Sequence, residues 1–491
     1  MELNLLKNAV KISETLLDSK HEQGFESDII LPDYCPDIAR ILKCSATPKI
    51  NRCYQNGASI QTDGNVVVCV YYVCGENKIH SYQTSAPFSK TIPISASDEN
   101  LNIKVTPKIE YVNCRAVNSR RLDIRGAVEL LFSLLSLKEK TYPCDCEEKV
   151  VKLKTVSAQN APVLNCVVKG FSVKDEFSLS PDVVKIFRAS ATAQPTECKV
   201  IANKIILKGD MMLTGCTQNS SGEIAPFNHA IPISQILDLP EIDENSVCST
   251  DFDVASFELN HRASENGTIV SVDAKINVYV TVRTQGEVTF CEDAYAISGE
   301  TSNKCETLTL VELCEHIDTK IIHRHHLQLP EDCASVVDAW CEEMPYTTSL
   351  SQNGLEITLP VMVMLIYKTV DGECKFMQVE IEVREKRECG ERFEGYMRLC
   401  ECAFNQNEVS LAIRICGDVL KENKVCAICE INHQDTQKEK PDCALTIYFS
   451  QKGEKVWDIA KRYRTASELI CLENNIDGDE VGERIIVIPT I

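Results

Sequence analysis

LPDYCPDIARILKCSATPKI, Leu31–Ile50, decides how the rest of the chain is read, because it comes back. A related segment, LSPDVVKIFRASATAQPTECKV, opens at Leu179, and a more divergent one, LPEDCASVVDAWCEEMPYTTSL, opens at Leu329. The starts lie 148 and 150 residues apart, a spacing regular enough to mean three homologous domains. Each opens on Leu, then Pro and an acidic residue, and continues into a short helical pattern. Pro is pre-set for the first helical position, and Asp or Glu suits the positive end of the helix dipole. One short helix is therefore expected at each start.

The rest of each repeat is β-rich. After the first start comes GNVVVCVYYVCGENKIHSYQTSAPFSKTIPI, two alternating strands around Gly75-Glu76-Asn77, then Pro87-Phe88 and Pro93. The second, NKIILKGDMMLTGCTQNSSGEIAPFNHAIPISQI, keeps that order with its own Pro226-Phe227. The third turns at Asp371-Gly372. In the second half of each repeat two β-rich runs flank a turn, at Asn118, at Glu265 to Gly267 and at Asn405 to Asn407. Between the second and third repeats, Leu308 to Ile317 reads as a short helix. Asn432 to Asp442, NHQDTQKEKPD, is charged and contains Pro, and reads as a flexible tether.

Beyond that tether, Ala444 to Ile491 is a complete β-α-α-β unit. Thr446, Ile447, Tyr448 and Phe449 make a short strand ended by Gly453. Val456, Ile459, Ala460 and Tyr463 fall at helical spacing. Thr465 with Glu468 three residues on reads as a capping box for a second helix that turns Leu469 and Leu472 inward. Asn474 and Asn475 break it, and Arg484 to Ile488 is a strand closed by Pro489. The expected fold class is mainly β with short helices. Three tandem β-rich repeat domains (1–140, 150–297, 305–431) lead through a polar linker (432–442) into a small α+β (βααβ) domain (443–491).

Charge and cysteine usage limit the function classes. A net charge of −21 argues against nucleic acid, whose binding displaces counterions with a basic stripe, and against docking on anionic lipid by charge. There is no apolar run of about 18 residues and no apolar h-region near Met1, so neither a transmembrane helix nor a signal peptide is indicated. The expectation is a protein that stays in the cell that makes it. Its 26 cysteines are then mostly reduced thiols acting as small hydrophobes.

The C-terminal string resembles a LysM domain. Gly453, Trp457, Ile459, Ala460, Thr465, Leu469, Asn474, Ile476, Gly482, Ile485 and Pro489 all sit in the register of that family's motif. The repeats resemble the SPOCS domain, a family named for spore coat proteins. Its [LV]-P-D-x-x-P-D-I-x-x-I-L start matches Leu31 to Leu42, and its later P-F segment is present in the first two repeats. Three such repeats followed by LysM is the arrangement of the SipL-type spore morphogenetic proteins of clostridia. That resemblance implies a non-enzymatic scaffold in the mother-cell cytoplasm, linking coat layers to the forespore surface. Its LysM-like domain would dock on the coat-basement ATPase, and its repeats would recruit other coat proteins. LysM modules hold N-acetylglucosamine glycans more commonly, so a peptidoglycan-binding protein is the alternative.

In LysM modules the ligand groove runs between two loops, which here carry Lys452, Gly453, Lys455, Val456 and Trp457 on one side and Asn474, Asn475 and Ile476 on the other. The family has a helix-capping hydroxyl where Lys455 stands. Lys cannot cap a helix N-terminus and meets the dipole unfavourably, which favours a protein partner over a sugar. Trp457 is amphipathic and suits either core or interface. Cys426, Cys429 and His433 have half of a zinc-site spacing with no second pair, and His323 and His325 alternate with Arg324 and His326 as a strand would. Neither reads as a metal site. No nucleophile elbow, P-loop, H-E-x-x-H or dinucleotide fingerprint is present, so no enzyme and no cofactor are expected.

Overall fold

The computed structural model describes residues 3–94, 101–180, 182–264, 267–352, 354–405, 407–434 and 445–489. The first unit contains β1 (Leu5–Ile30), β2 (Ile38–Asn56), β3 (Ser59–Cys74), β4 (Ile79–Pro93), β5 (Leu101–Asn118) and β6 (Arg121–Cys146). They form two antiparallel sheets, β1-β6-β5 and β2-β3-β4. The faces of β3 and β6 alternate over most of their length. Ile60, Val66, Val68 and Val70 meet Leu122, Ile124, Leu130 and Phe132 in a dry core between the sheets.

The second unit repeats this plan with β7 (Val151–Asn160), β8 (Val163–Leu179), β9 (Val183–Ile201), β10 (Lys204–Asn219), β11 (Ile224–Asp238), β12 (Val247–Ser264), β13 (Gly267–Arg283) and β14 (Gly286–Ala296). Its sheets are β12-β13-β8 and β9-β10-β11, and β7 pairs with β14 separately. The ladder that runs through β1–β6 as one pairing, with a bulge between Thr15 and Leu17, is interrupted here at Pro162, which has no N–H to offer. The third unit has β15 (Glu300–His326), β16 (Cys333–Glu343), β17 (Thr347–Ser351), β18 (Gly354–Thr369), β19 (Cys374–Arg387), β20 (Arg392–Asn405) and β21 (Glu408–Gln434). Its sheets are β15-β21-β20 and a second one centred on β18, with β16 and β17 on one side and β19 on the other.

The helices expected at the repeat starts do not occur among the described residues. Pro32 to Cys35 form a turn closed by Cys35 N–H on the Pro32 carbonyl, and Pro330 to Cys333 form another. The chain then enters β2 and β16. Both strands carry β-bulges, between Ile38 and Arg40 and between Ile41 and Lys43 in β2, and twice more in β16. Each bulge adds one residue to a period of two, so Ile38 and Ile41 fall three apart and imitate a helix. Leu308 to Ile317 is likewise strand, part of β15, where a bulge after Leu313 shifts the phase.

The Pro-Phe pairs have a packing reason. Phe88 lies directly opposite Gly64, and Phe227 opposite Gly215. A Cβ at Gly64 would fall 2.3 Å from the Phe88 ring, and one at Gly215 would fall 2.7 Å from Phe227. The ring covers the gap left by the glycine across the ladder.

Two clusters of buried side chains each draw on all three units. Near the ends of the long ladders, Val10 and Tyr142, Phe290, and Leu308, Leu310 and Ala427 form one cluster, drawing on all three units. At the other end Tyr71, Val73 and Ile79 pack with Phe187 and Cys216 and with Trp340, Met364 and Ile366. Beside the second cluster lies a chamber of about 2990 Å³ whose lining includes β2, β5, β9, β12, β16 and β20. Each of these is an edge strand of its sheet. Among the described residues, no helix is long and apolar enough to cross a membrane.

Candidate functional site: the C-terminal module and its seat

Residues 445–489 form β22 (Leu445–Phe449), α1 (Val456–Tyr463), α2 (Ser467–Asn474) and β23 (Ile485–Pro489), with β22 and β23 antiparallel. Ile459, Ala460, Ile470, Ile486 and Ile488 make the core between the helices and the inner face of the two strands. Gly453 takes φ +84°, the left-handed turn expected before α1. Lys455 is the N-cap and makes no side-chain cap bond. Backbone closure replaces it, with Val456 N–H on the Asp479 carbonyl and Val481 N–H on that of Glu454. The two loops named as groove walls are thus tied together by main chain.

Of the residues read as a binding rim, the structure brings Lys452, Gly453, Lys455 and Asn475 to the surface. Lys455 pairs with Asp479 at 3.3 Å. Asn475 ends α2 in the left-handed region at φ 49°, ψ 55°. The other four sit inside. Val456 and Ile476 are core. The Asn474 amide donates to the Ile470 and Val487 carbonyls and accepts from Val487 N–H, so it pins α2 to β23. Trp457 is 9% exposed.

The module is seated on the second repeat rather than hanging free of it. Trp457 stacks edge-on against Tyr295, centroids 4.8 Å apart, and its indole N–H donates to Asp293 Oδ2 at 2.8 Å. Lys461 Nζ reaches the same carboxylate at 2.7 Å. The Tyr295 hydroxyl donates to the Thr465 carbonyl, and Lys152 pairs with Glu468 at 3.3 Å. Burial by itself raises the Asp293 pKa, but the bonds from Lys461 and Trp457 outweigh it and hold the carboxyl below its ordinary range. The seat is aromatic and ionic, built from β7 and β14 on one side and α1 and α2 on the other. Of the expected tether, Asn432–Gln434 belong to β21, and 435–442 lie outside the described residues.

Two local expectations for α2 are corrected. Ala466, not Thr465, is the N-cap, and no side chain caps it. The Thr465 hydroxyl donates instead to the Pro489 carbonyl, and Glu468 is drawn to Lys152. Leu472 points outward, 73% exposed, because α2 spans only two turns and Ile470 takes the inward face.

The outer face of β22 and β23 is a feature that pattern reading missed. Leu445, Ile447, Phe449 and Ile485 are all exposed, Phe449 lying directly opposite Ile485. LTIYF has apolar or β-branched residues at every position, so alternation gave no sign that one face stays open. Elsewhere, His323 and His325 share one face of β15 while Arg324 and His326 are exposed on the other, as alternation requires. Among the described residues no three potential metal ligands converge.

The units are locked to each other by buried charge. Arg283, 1% exposed, pairs with Asp418 at 3.0 Å and with Glu394, and donates to the Ala161 carbonyl. Asp418 also meets His316 at 2.7 Å. Arg188 pairs with Asp338 at 2.8 Å and lies over the Trp340 ring. Arg398 joins Asp251 to Glu343, each at 2.9 Å.

Residues 37–117 and 182–261 each match the family model described as SipL, SPOCS domain. The matched segments run from the start of β2 to the end of β5 and from the start of β9 into β12. No curated protein matches, and no solved structure matches. Those two segments, each a three-stranded sheet followed by the strand that crosses to its partner sheet, are SPOCS domains of the SipL type.

Proposed function

We propose that the chain is a non-enzymatic scaffold of spore coat assembly, working in the mother cell at the forespore surface. The three repeats hold a rigid platform, the third unit being a divergent SPOCS-like repeat. The C-terminal unit is a LysM-like docking head for the coat-basement ATPase. The observation that carries this reading is the open apolar strand face of the module, Leu445, Ile447, Phe449 and Ile485, together with the exposed Lys452 and Lys455 of the loop that follows β22. In a chain of net charge −21, an apolar patch on a small domain is a signature of protein docking.

The test uses the full chain in a pull-down with the coat-basement ATPase. Ile447→Asp, and separately Lys452→Glu with Lys455→Glu, should each lower the recovered ATPase about tenfold or more, the effect of losing roughly 1.4 kcal/mol or more. Unchanged recovery with both variants would sink the docking assignment. Sedimentation with purified peptidoglycan separates the alternative: saturable binding lost on changing Asn475 would make the module a glycan reader instead.

A further inference from the structure

Within each unit the two sheets pack face to face, but one seam is open. β2 runs beside β5, β9 beside β12 and β16 beside β20, and among the described residues no hydrogen-bonded ladder joins the two members of any pair. Each seam holds a pair of cysteines. Cys44 of β2 and Cys114 of β5 pack against the same core from the two sides of the seam, and their thiols interact. Cys198 of β9 meets Cys248 of β12 in the same way. Cys341 of β16 meets Cys402 of β20. Each pair packs against the core of its own unit.

The recurrence is not simple inheritance of one position. Cys114 and Cys402 are equivalent, lying opposite Ile124 and Leu411 three residues into the return strand. Cys248 lies opposite Val282, at the far end of its hairpin. The shared feature is therefore the seam, bridged once in every unit.

We propose that these three pairs are sites of intrachain disulfide formation, each bond stapling the two sheets of its unit across the open seam. The co-reactant is a low-molecular-weight disulfide. One protein thiolate attacks a sulfur of that reagent and expels one small thiolate, leaving a mixed disulfide. The second protein thiolate attacks the protein-side sulfur and expels the other small thiolate. Two protein thiols are oxidised, one reagent disulfide is reduced to two thiols, and the two protons go with the leaving groups. Disulfide sulfurs lie about 2.05 Å apart on Cα atoms about 4.4–6.8 Å apart, a separation that strands running side by side can present. Cys44, Cys341 and Cys402 line the central chamber, which gives a small reagent access.

Thiol chemistry agrees with this geometry. Sharing one proton depresses Cys114, Cys198 and Cys402, whose partners donate to them, and that bond with burial pushes Cys44, Cys248 and Cys341 up. Each pair thus has one member disposed to supply the attacking thiolate.

The experiment starts from reduced full-length chain carrying Cys305→Ser and Cys426→Ser, which removes the exposed thiol pair between β15 and β21. Folded protein is treated with oxidised glutathione, alkylated, digested and analysed by mass spectrometry, beside a control oxidised in urea. The expected result is linked peptides 44–114, 198–248 and 341–402, and a mass loss of about 2 Da for each bond. Cys114→Ser should abolish the first link and leave the other two. Full alkylation of these six thiols in the folded, oxidised sample would overturn the proposal, as would the same distribution of links in folded and urea-treated chain. The outcome is independent of the partner that the C-terminal module docks on.

Discussion

At the residue scale the seat of the module turns on Asp293. It accepts from the Trp457 indole and from Lys461, and it is the one carboxylate both of these groups share. Its pKa is depressed in the seated state, so its contribution is present above the ordinary carboxylate pKa and is lost as pH falls through the depressed value. The seat should therefore hold at neutral pH and loosen below about pH 4. Trp457 emission should shift red over that acid range in the native chain, and Asp293→Asn should show the shift already at neutral pH. Trp457→Ala removes a buried aromatic and should cost the module about 3–5 kcal/mol, read as lost amide-exchange protection across α1 while the repeats keep theirs. Gly64 is a second sensitive residue. A Cβ there would meet the Lys49 carbonyl at 2.4 Å as well as Phe88. Gly64→Val should destabilise the first unit by about 1–3 kcal/mol, measured as a lower denaturant midpoint at unchanged slope.

At the scale of elements, bulges account for where reading by period failed. β2, β16 and β15 each slip phase at least once. A window that counts apolar spacing sees threes and fours and reports a helix. Strands without bulges in their pairing with a neighbour, such as β3 against β4 and β10 against β11, were legible because most inward positions, two apart, are apolar. The module was legible as β-α-α-β for a related reason: Gly453, Asn475, Gly478 and Gly482 all take positive φ, and those residue types mark such turns. Its helix caps were not legible, since Thr465 has a competing acceptor in Pro489 that lies far along the chain.

Across the whole molecule, buried ion pairs join the two-sheet units to one another. Arg283 from the second unit answers Asp418 and Glu394 from the third, so removing it leaves the buried Asp418 carboxylate with His316 as its remaining ionisable partner among the described residues. Arg283→Met should cost about 3–5 kcal/mol. Calorimetry should then show the second and third units parting at lower temperature than in the native chain. The same platform sets the limits of the scaffold reading: the chamber edges face inward, and the open apolar face belongs to the seated module.

The sequence by itself determined the β-rich class, the first two repeats and the β-α-α-β order of the C-terminal unit, because strand alternation, a domain period and turn residues are local or regular features. Residues 37–117 and 182–261 carry enough of that pattern to match the SPOCS domain. Only the tertiary structure decided that Trp457 is turned onto Tyr295 and Asp293, that Arg283 meets Asp418, and that Cys44, Cys198 and Cys341 each face a thiol across a seam. Those contacts join residues from about 50 to more than 160 positions apart. Their energies come from desolvation and geometry that exist only once the sheets have packed.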